Sequence, residues 1–238
     1  STLNVVESTI ALNSDWVLPI HAGPEIGVAS TKAFLGQLIV LYILSLKLSI
    51  ARGDIKKKDY DLNVENLKYL PESIKGTLKL ESEIQLVAKE FLDVKGSMFL
   101  GRGNSFPIAL EGALKLKELS YLHAEGYPAG EMKHGPLALI EEGLPVIVIA
   151  PKDKYYEKTL SNMQEVIARG GKIFFITDNN KRLLSTNIRF RLIIPRVDSL
   201  LSPLLLTIPL QLLAYHVALL KNCDIDKPRN LAKSVTVE

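Results

Sequence analysis

The sequence has almost no cysteine: Cys223 is the single thiol in 238 residues. One cysteine cannot form an internal disulfide, so the composition favours a reducing compartment, and we expect a cytoplasmic protein. Cys223 follows an apolar helical segment, which favours a buried, unreactive thiol over a nucleophile. The N-terminus, STLNVVESTIALNSDW, also lacks the basic and then apolar pattern of a secretory signal peptide.

A strong excess of charge of either sign is also missing. The chain has 29 basic and 26 acidic residues, a net charge of +3. This balance does not favour nucleic acid or an anionic membrane as a partner. The longest uncharged run, residues 200–220, is long enough to span a bilayer, but it contains two prolines, Gln211 and His216. We therefore predict a core helix there and no membrane segment.

Short apolar runs alternate with helical patterns along the chain. The predicted strands are residues 2–6, 16–20, 98–100, 146–150, 173–177 and 189–194. The predicted helices are residues 31–51, 63–79 with an interruption at Pro71, 81–92, 107–122, 155–169 and 203–220. Ser30 or Thr31 is the expected N-cap of the first helix. Such alternation predicts the α/β class, a doubly wound parallel sheet with helices on both faces.

Two helical segments resemble each other. The segment that begins QLIVLYILSL at Gln37 resembles QLLAYHVALL at Gln211, and each precedes an Asp-Ile pair. The alternative is two unrelated leucine-rich core helices. If the repeat is real, the first copy lacks about 90 residues of a typical domain. The predicted organisation is then 1–53, the C-terminal remnant of a first domain; 54–80, a linker or helical connection; 81–222, a complete second domain; and 223–238, a tail.

The centre of the chain, residues 97–136, combines a strand, a glycine turn and a helix. Met98-Phe99-Leu100 is followed by Gly101-Arg102-Gly103-Asn104-Ser105 and then by the helix. A strand, a tight turn and a helix N-terminus together can bind an anion, because free backbone amides point outward. A dinucleotide site is disfavoured, since its fingerprint needs a third glycine where Phe106 stands.

The helix after this turn carries a charged stripe. Apolar residues cover most of its circumference, whereas Glu111, Lys115 and Glu118 fall within about 60° of one another. A helix that is apolar nearly all round is buried, so we predict that the stripe faces a cavity. The alternative is a Glu–Lys pair on a wetted face. The stretch that follows, residues 123–136, is dense in acid–base groups.

Three segments carry a family resemblance: HAGPEIGVASTKAF, FLGRGNSFPIALEGALKLKELSYLHAEGYPAGEMKHGPLAL and PLQLLAYHVALLKNCDIDKPRNLAKSVTVE. They closely resemble the C-terminal isomerase part of the glucosamine-6-phosphate synthases, which consists of two tandem sugar-isomerase (SIS) domains. The resemblance implies conversion of fructose 6-phosphate and glutamine-derived ammonia to glucosamine 6-phosphate, with no metal and no cofactor. It also implies a homodimer and a glutaminase domain as partners.

The resemblance also assigns roles to individual residues. Glu118 is implied to carry a proton between carbons C1 and C2 of the hexose phosphate, with Glu111 and Lys115 assisting it. His134 is implied as the acid/base for ring opening, delivered to the partner subunit's site. Lys233 is implied to form a Schiff base with the ketose, so we expect burial or nearby positive charge to disfavour its charged form. On chemistry alone, an ordinary tail lysine is the alternative.

The remaining implied contacts are with substrate. Val28, Ala29 and Ser30 match positions that touch the sugar, and Ala232 matches a position in the tail, which contributes to the active site. The family's Ser/Thr-rich phosphate loop of the first domain has no counterpart in this sequence, so we expect weak fructose 6-phosphate binding and little activity from this chain alone. The 101–105 turn is then interpreted as structural rather than as a binding site.

A second class of function is a non-catalytic SIS module that senses a sugar phosphate. Glu118, His134 and Lys233 together favour the enzyme, because a sensor needs no Schiff-base amine. A helix-turn-helix pattern, which a regulator would use, is not seen in the sequence.

Overall fold

The computed structural model describes residues 1–181 and 188–233. The chain divides into two units, the first formed by Ser1–Leu70 with Arg229–Glu238 and the second by Pro71–Pro228. The boundary between Leu70 and Pro71 falls inside one long helix. The domain limits predicted from the sequence stay a prediction.

The first unit begins with two very short strands and two helices: β1 Thr2–Leu3, α1 Thr9–Leu12, β2 Leu18–Pro19 and α2 Lys32–Arg52. The strands pair in parallel, with Thr2 opposite Leu18. The one-turn helix α1 was not predicted; Ser8 caps it by accepting the Ala11 N–H at 3.3 Å. Gly53, with φ of 75°, ends α2 in the left-handed conformation that glycine adopts without strain.

The second unit contains one five-stranded sheet with its helices. Its strands are β3 Gly96–Gly101, β4 His123–Pro128, β5 Pro145–Ile149, β6 Lys172–Thr177 and β7 Ile188–Ile193. They lie in the order β4-β3-β5-β6-β7, and all four pairings are parallel. The remaining helices are α3 Lys57–Leu78, which enters from the first unit, α4 Glu81–Lys89, α5 Ser105–Ser120, α6 Tyr156–Ile167 and α7 Ser202–Leu220.

Helices cover both faces of this sheet. Met98 and Leu100 of β3 join a buried cluster with Met163 and Val166 of α6. Phe99, between them, points the other way toward α5, where a Cβ added to Gly112 would lie 3.0 Å from its ring. Helices α4 and α7 pack on the same side as α5. The predicted doubly wound parallel α/β fold is confirmed.

Strand β4 was missed because its sequence, HAEGYP, has no run of apolar residues. It lies at the edge of the sheet and pairs with β3 alone, so much of it stays open to solvent. Helix α3 also differs, since it continues through Pro71 instead of breaking there. A proline removes one N–H and more often bends a long helix than ends it.

Two helices, α2 and α7, are long and apolar enough to cross a membrane by length and composition alone. In α7, 67% of the most apolar window is buried, as in a core helix of a folded domain. In α2 the corresponding share is 6%, and Leu46 is its one buried residue. Cys223, predicted to be buried, is half-buried, because it lies just beyond the end of α7.

Candidate functional site

The charged stripe of α5 forms a compact ion cluster. Lys115 Nζ lies 2.6 Å from Glu118 Oε2 and 3.6 Å from Glu111 Oε1. The side chains of Lys115, Glu111 and Glu118 are 4%, 10% and 21% exposed. The spacing of three and four residues places all three groups on one helix face. We call Glu111, Lys115 and Glu118 the α5 cluster.

Helix α5 reverses the usual pattern of a surface helix. Leu110 and Leu114 are 45% and 40% exposed, whereas Lys115 is buried. Burying ion pairs costs desolvation that their attraction often fails to recover. The cluster is therefore a poor device for stability, and buried ionisable groups of this kind mark functional sites.

Glu111 is the most perturbed member of the cluster. Burial raises the pKa of its carboxyl above the usual value, and although Lys115 opposes this effect, the nearby Glu118 carboxylate adds to it. Its Oε1 accepts no hydrogen bond within the described residues, since 3.6 Å from Lys115 is too long. Glu111 is thus suited to hold a proton close to Glu118 and Lys115.

Replacing Glu111 by Gln removes this titration and keeps the side chain's shape. A raised folded-state pKa stabilises the protein fully below the unfolded value of 4.5, and this contribution is lost as pH rises through the folded pKa. We therefore expect the stability of the wild type relative to Glu111→Gln to fall as pH increases. Urea midpoints measured for both proteins across that range test this.

The exposed Glu83, replaced by Gln, is the matched control, for which we expect no comparable trend. The raised pKa of Glu111 would be contradicted if the difference in urea midpoint between wild type and Glu111→Gln stayed constant with pH. It would also be contradicted if that difference grew in favour of the wild type as pH increased.

His134 ends a 3₁₀ turn, Ala129–His134, that follows β4. Its side chain is 76% exposed, and Nε2 lies 3.9 Å from Glu131 Oε2. Neighbouring Lys133 is 3.1 Å from Glu165 of α6, which holds the turn against that helix. Among the described contacts of the second unit, none joins His134 to the α5 cluster. The imidazole is instead available to a group outside this unit.

Lys233 forms an ion pair within the first unit. Its Nζ lies 2.9 Å from Glu25 Oε2, and its side chain is 38% exposed. The role of Lys233 as the imine-forming amine stays a prediction. An ammonium must lose a proton before its nitrogen can act as a nucleophile.

Glu25, which sequence reasoning missed, also caps helix α2. Its Oε1 accepts the N–H groups of Thr31 at 3.1 Å and Ala33 at 3.3 Å, and the Ser30 hydroxyl at 3.4 Å. Thr31 stands at the N-cap, as predicted, but its side chain makes no cap hydrogen bond. A carboxylate can cap the helix because the unpaired N–H groups of the first turn and the helix dipole favour negative charge.

The pKa of Glu25 reflects these contacts. Burial acts to raise it, but the hydrogen bonds from Lys233, Thr31 and Ala33 outweigh burial and hold it below the usual value. An acidic residue seven positions before a helix gives no sequence signal of this kind, because the loop must first fold back.

The predicted substrate contacts lie close to this pair along the chain. Val28, Ala29 and Ser30 are half-buried in the loop before α2, and Ala232 is exposed next to Lys233. The Glu25–Lys233 ion pair joins that loop to the tail. In the described part of the chain, no three His, Cys, Asp or Glu side chains are grouped to hold a metal ion.

Comparison with known proteins identifies the family to which the chain belongs. The SIS domain model matches residues 90–221. The glutamine–fructose-6-phosphate aminotransferases (isomerising) of Brucella melitensis and Bartonella quintana are 54% and 50% identical over 100% and 99% of this chain. The chain spans 39% of the length of each of these relatives.

A solved structure agrees with these sequence relatives. The C-terminal domain of glucosamine-fructose-6-phosphate aminotransferase from Francisella tularensis superimposes with a TM-score of 0.91 and 44% identity, covering 94% of this chain and 63% of that one. The chain therefore belongs to the SIS domain family, and over its whole length it is similar to the C-terminal, SIS-domain part of glutamine–fructose-6-phosphate aminotransferase (isomerising).

Proposed function

We propose that this chain is the isomerase part of an enzyme that makes glucosamine 6-phosphate from fructose 6-phosphate and glutamine-derived ammonia. The observation that carries the proposal is the buried α5 cluster, in which two carboxylates share one lysine. The similarity to aminotransferases at 50–54% identity supports it. Aldose formation by the full-length enzyme, with Glu118 intact or replaced by Gln, tests it.

Glu118 is the proposed carrier of the proton between C1 and C2. A carboxylate can accept a proton from one carbon and return it to the next without leaving its place. The Lys115 hydrogen bond at 2.6 Å engages Oε2, and it leaves Oε1 to reach a ligand. Glu118 is also the most exposed member of the cluster, so substrate can approach it.

Lys233 is the proposed amine that forms the imine. Its neutral nitrogen attacks C2 of the open ketose, the carbonyl oxygen leaves as water, and a carbon–nitrogen double bond forms. Glu25, 2.9 Å away, holds the amine beside the loop that precedes α2. The pair therefore positions the nucleophile.

His134 is the proposed acid/base for opening the sugar ring, supplied to the partner subunit's site in a homodimer. Its 76% exposure leaves it free to contact another chain. An imidazole suits this task because its ordinary pKa allows transfer in both directions near neutral pH.

We expect the 238-residue chain to form this dimer through exposed apolar residues. The candidate surfaces are the apolar helices α2 and α7, of which α7 is largely buried in its own unit. Exposed apolar side chains include Leu41 and Leu48 on α2 and Leu219 and Leu220 at the end of α7. Their burial between two copies would remove apolar surface from water. Sedimentation showing a strict monomer at high protein concentration would contradict the proposal.

We also expect this chain by itself to form no measurable glucosamine 6-phosphate. The family's first-domain phosphate loop has no counterpart in the printed sequence, and each lost charge-assisted hydrogen bond costs about 1.5–3 kcal/mol of binding. A coupled assay with fructose 6-phosphate and ammonia, with the full-length enzyme as positive control, measures this. Turnover close to that of the full-length enzyme would show that the loop is dispensable.

The second candidate is a non-catalytic module that binds a sugar phosphate. The Lys233–Glu25 ion pair favours it, because a charged amine can bind a ligand but cannot attack a carbonyl. Retention of full isomerase activity in Glu118→Gln would favour this candidate over the enzyme.

A further inference from the structure

Helix α6 supports the turn that ends at His134. This 3₁₀ turn, Ala129–His134, places residues three positions apart on the same side. Ala129 and Met132 are 0% exposed and belong to the apolar cluster that Met163 of α6 also joins. The inner side of the turn is therefore fixed by apolar packing, whereas the imidazole lies on the exposed side.

The two ends of this turn are packed differently. At its start, a Cβ added to Gly130 would lie 2.8 Å from Nη1 of Arg102, so the chain fits closely there. Just past its end, a Cβ added to Gly135 would meet open space. His134 itself is 76% exposed. Close packing therefore fixes the start of the turn but not the residue that carries the imidazole.

The ion pair between Lys133 and Glu165 supplies a contact at the loosely packed end. Lys133 directly precedes His134, and its Nζ lies 3.1 Å from Oε1 of Glu165 on α6. The next residue of α6, Val166, is 0% exposed and belongs to the buried cluster. Glu165 therefore stands on an element that packing holds in place, and its carboxylate ties the exposed end of the turn to that element.

Glu165 would be a costly residue if it served stability alone. Its side chain is 21% exposed, and its Oε2 is buried and accepts no hydrogen bond within the described residues. A buried polar atom without a partner costs free energy. The side chain of Lys133 is 66% exposed, and ion pairs with exposed lysines contribute little to stability. The carboxylate is therefore better explained by the group that it holds in place.

We propose that Lys133 and Glu165 are positioning residues for His134, an inference that rests on the proposed function and adds to it how the imidazole is held. In ring opening, the bond between C2 and the ring oxygen breaks. The protonated imidazole gives its proton to that oxygen, while the C2 hydroxyl loses its proton to water as the carbonyl forms. Proton transfer requires hydrogen-bond distance between the two heavy atoms, so a shift of the end of the turn lowers the rate of this step. The steps at Glu118 and Lys233 follow on the open ketose and do not use the imidazole.

The first measurement is aldose formation from fructose 6-phosphate by the full-length enzyme with Lys133→Gln or Glu165→Gln. Either change should lower kcat about 10- to 100-fold and leave KM within about twofold, because a misplacement of about 1 Å costs up to about 10² in rate. Lys133→Arg keeps the charge and should recover most of the rate that Lys133→Gln loses. Because Lys133 is exposed, the urea midpoint of Lys133→Gln should stay close to that of the wild type, so the loss is not one of folding.

A second substrate separates positioning from a general loss of structure. The analogue 5-deoxyfructose 6-phosphate has no C5 hydroxyl, and its C6 oxygen carries the phosphate, so it cannot close a ring and needs no ring opening. The ratio of the rate with fructose 6-phosphate to the rate with this analogue should fall about 10- to 100-fold in Lys133→Gln and Glu165→Gln, and at least as far in His134→Gln. A residue that merely stabilised the fold would lower both rates alike. Should the wild type not convert the analogue, recovery by Lys133→Arg at an unchanged urea midpoint decides.

Glu157→Gln is the matched control, since it removes another carboxylate of α6, whose ion pair with Lys152 at 2.6 Å lies at the start of that helix. Its two rates should equal those of the wild type. Wild-type kcat in Lys133→Gln and Glu165→Gln, or an equal loss with both substrates, would overturn the inference and leave the proposed function standing. If His134→Gln itself kept the wild-type ratio, the proposed role of His134 in ring opening would fail, and the positioning of that role would fail with it.

Discussion

Replacement of Glu118 by Gln in the full-length enzyme is expected to lower isomerisation by about 10²–10⁴-fold. Gln keeps the shape of the side chain and can accept a hydrogen bond from Lys115, which lies 2.6 Å from Glu118 in the structure. It cannot take a proton from C1 or C2. Substrate binding should change far less than turnover, because the group lost acts chiefly in the transition state. Steady-state rates of aldose formation from fructose 6-phosphate give kcat and KM separately and so measure the two effects.

Glu157→Gln is the matched control for this experiment, since Glu157 is exposed on α6 and lies outside the α5 cluster. Its rate should equal that of the wild type. If Glu118→Gln kept full activity, Glu118 would not be the proton carrier. The second candidate function, a non-catalytic module that binds a sugar phosphate, would then gain support. If it raised KM alone and left kcat unchanged, Glu118 would be a binding residue rather than the base.

Replacement of Lys233 by Arg is expected to abolish covalent trapping of the ketose. Borohydride reduces an imine to a stable amine, so the wild-type full-length enzyme treated with fructose 6-phosphate and borohydride should gain the mass of one sugar phosphate less one oxygen atom, because imine formation releases water. Arg keeps the positive charge beside Glu25 but cannot form an imine under these conditions. Intact-mass and peptide measurements then locate the adduct.

Glu25→Gln separates the chemistry of this pair from its geometry. If Glu25 positions Lys233, the variant should still trap the sugar, but more slowly, because the amine has lost its ion-pair partner. Its α2 cap should weaken as well, since Gln carries no charge at the helix N-terminus. An adduct on Lys115 instead of Lys233 would move the nucleophile to the α5 cluster and contradict the assignment.

Local patterns in the sequence predicted much of the fold. Strands β5 and β6 are continuous apolar runs, as expected for parallel strands buried on both faces, and they were predicted close to their observed limits. The α5 cluster was also predictable, because spacings of three and four residues fix which side chains share a helix face whatever surrounds the helix. The exposed edge strand β4 lacked any such periodicity, and so the sequence could not distinguish it from a loop.

Contacts between distant parts of the chain were decided by the tertiary structure alone. Glu25 and Lys233 are 208 positions apart, so their ion pair arises only when the tail folds onto the loop before α2. A cavity of the second unit likewise takes its lining from three segments, which follow β3, β5 and β7. A sequence gives the chemistry of each side chain and the hydrophobic periodicity of the helix or strand that carries it. Burial and pairing between elements depend on the spatial order of the strands in the folded sheet.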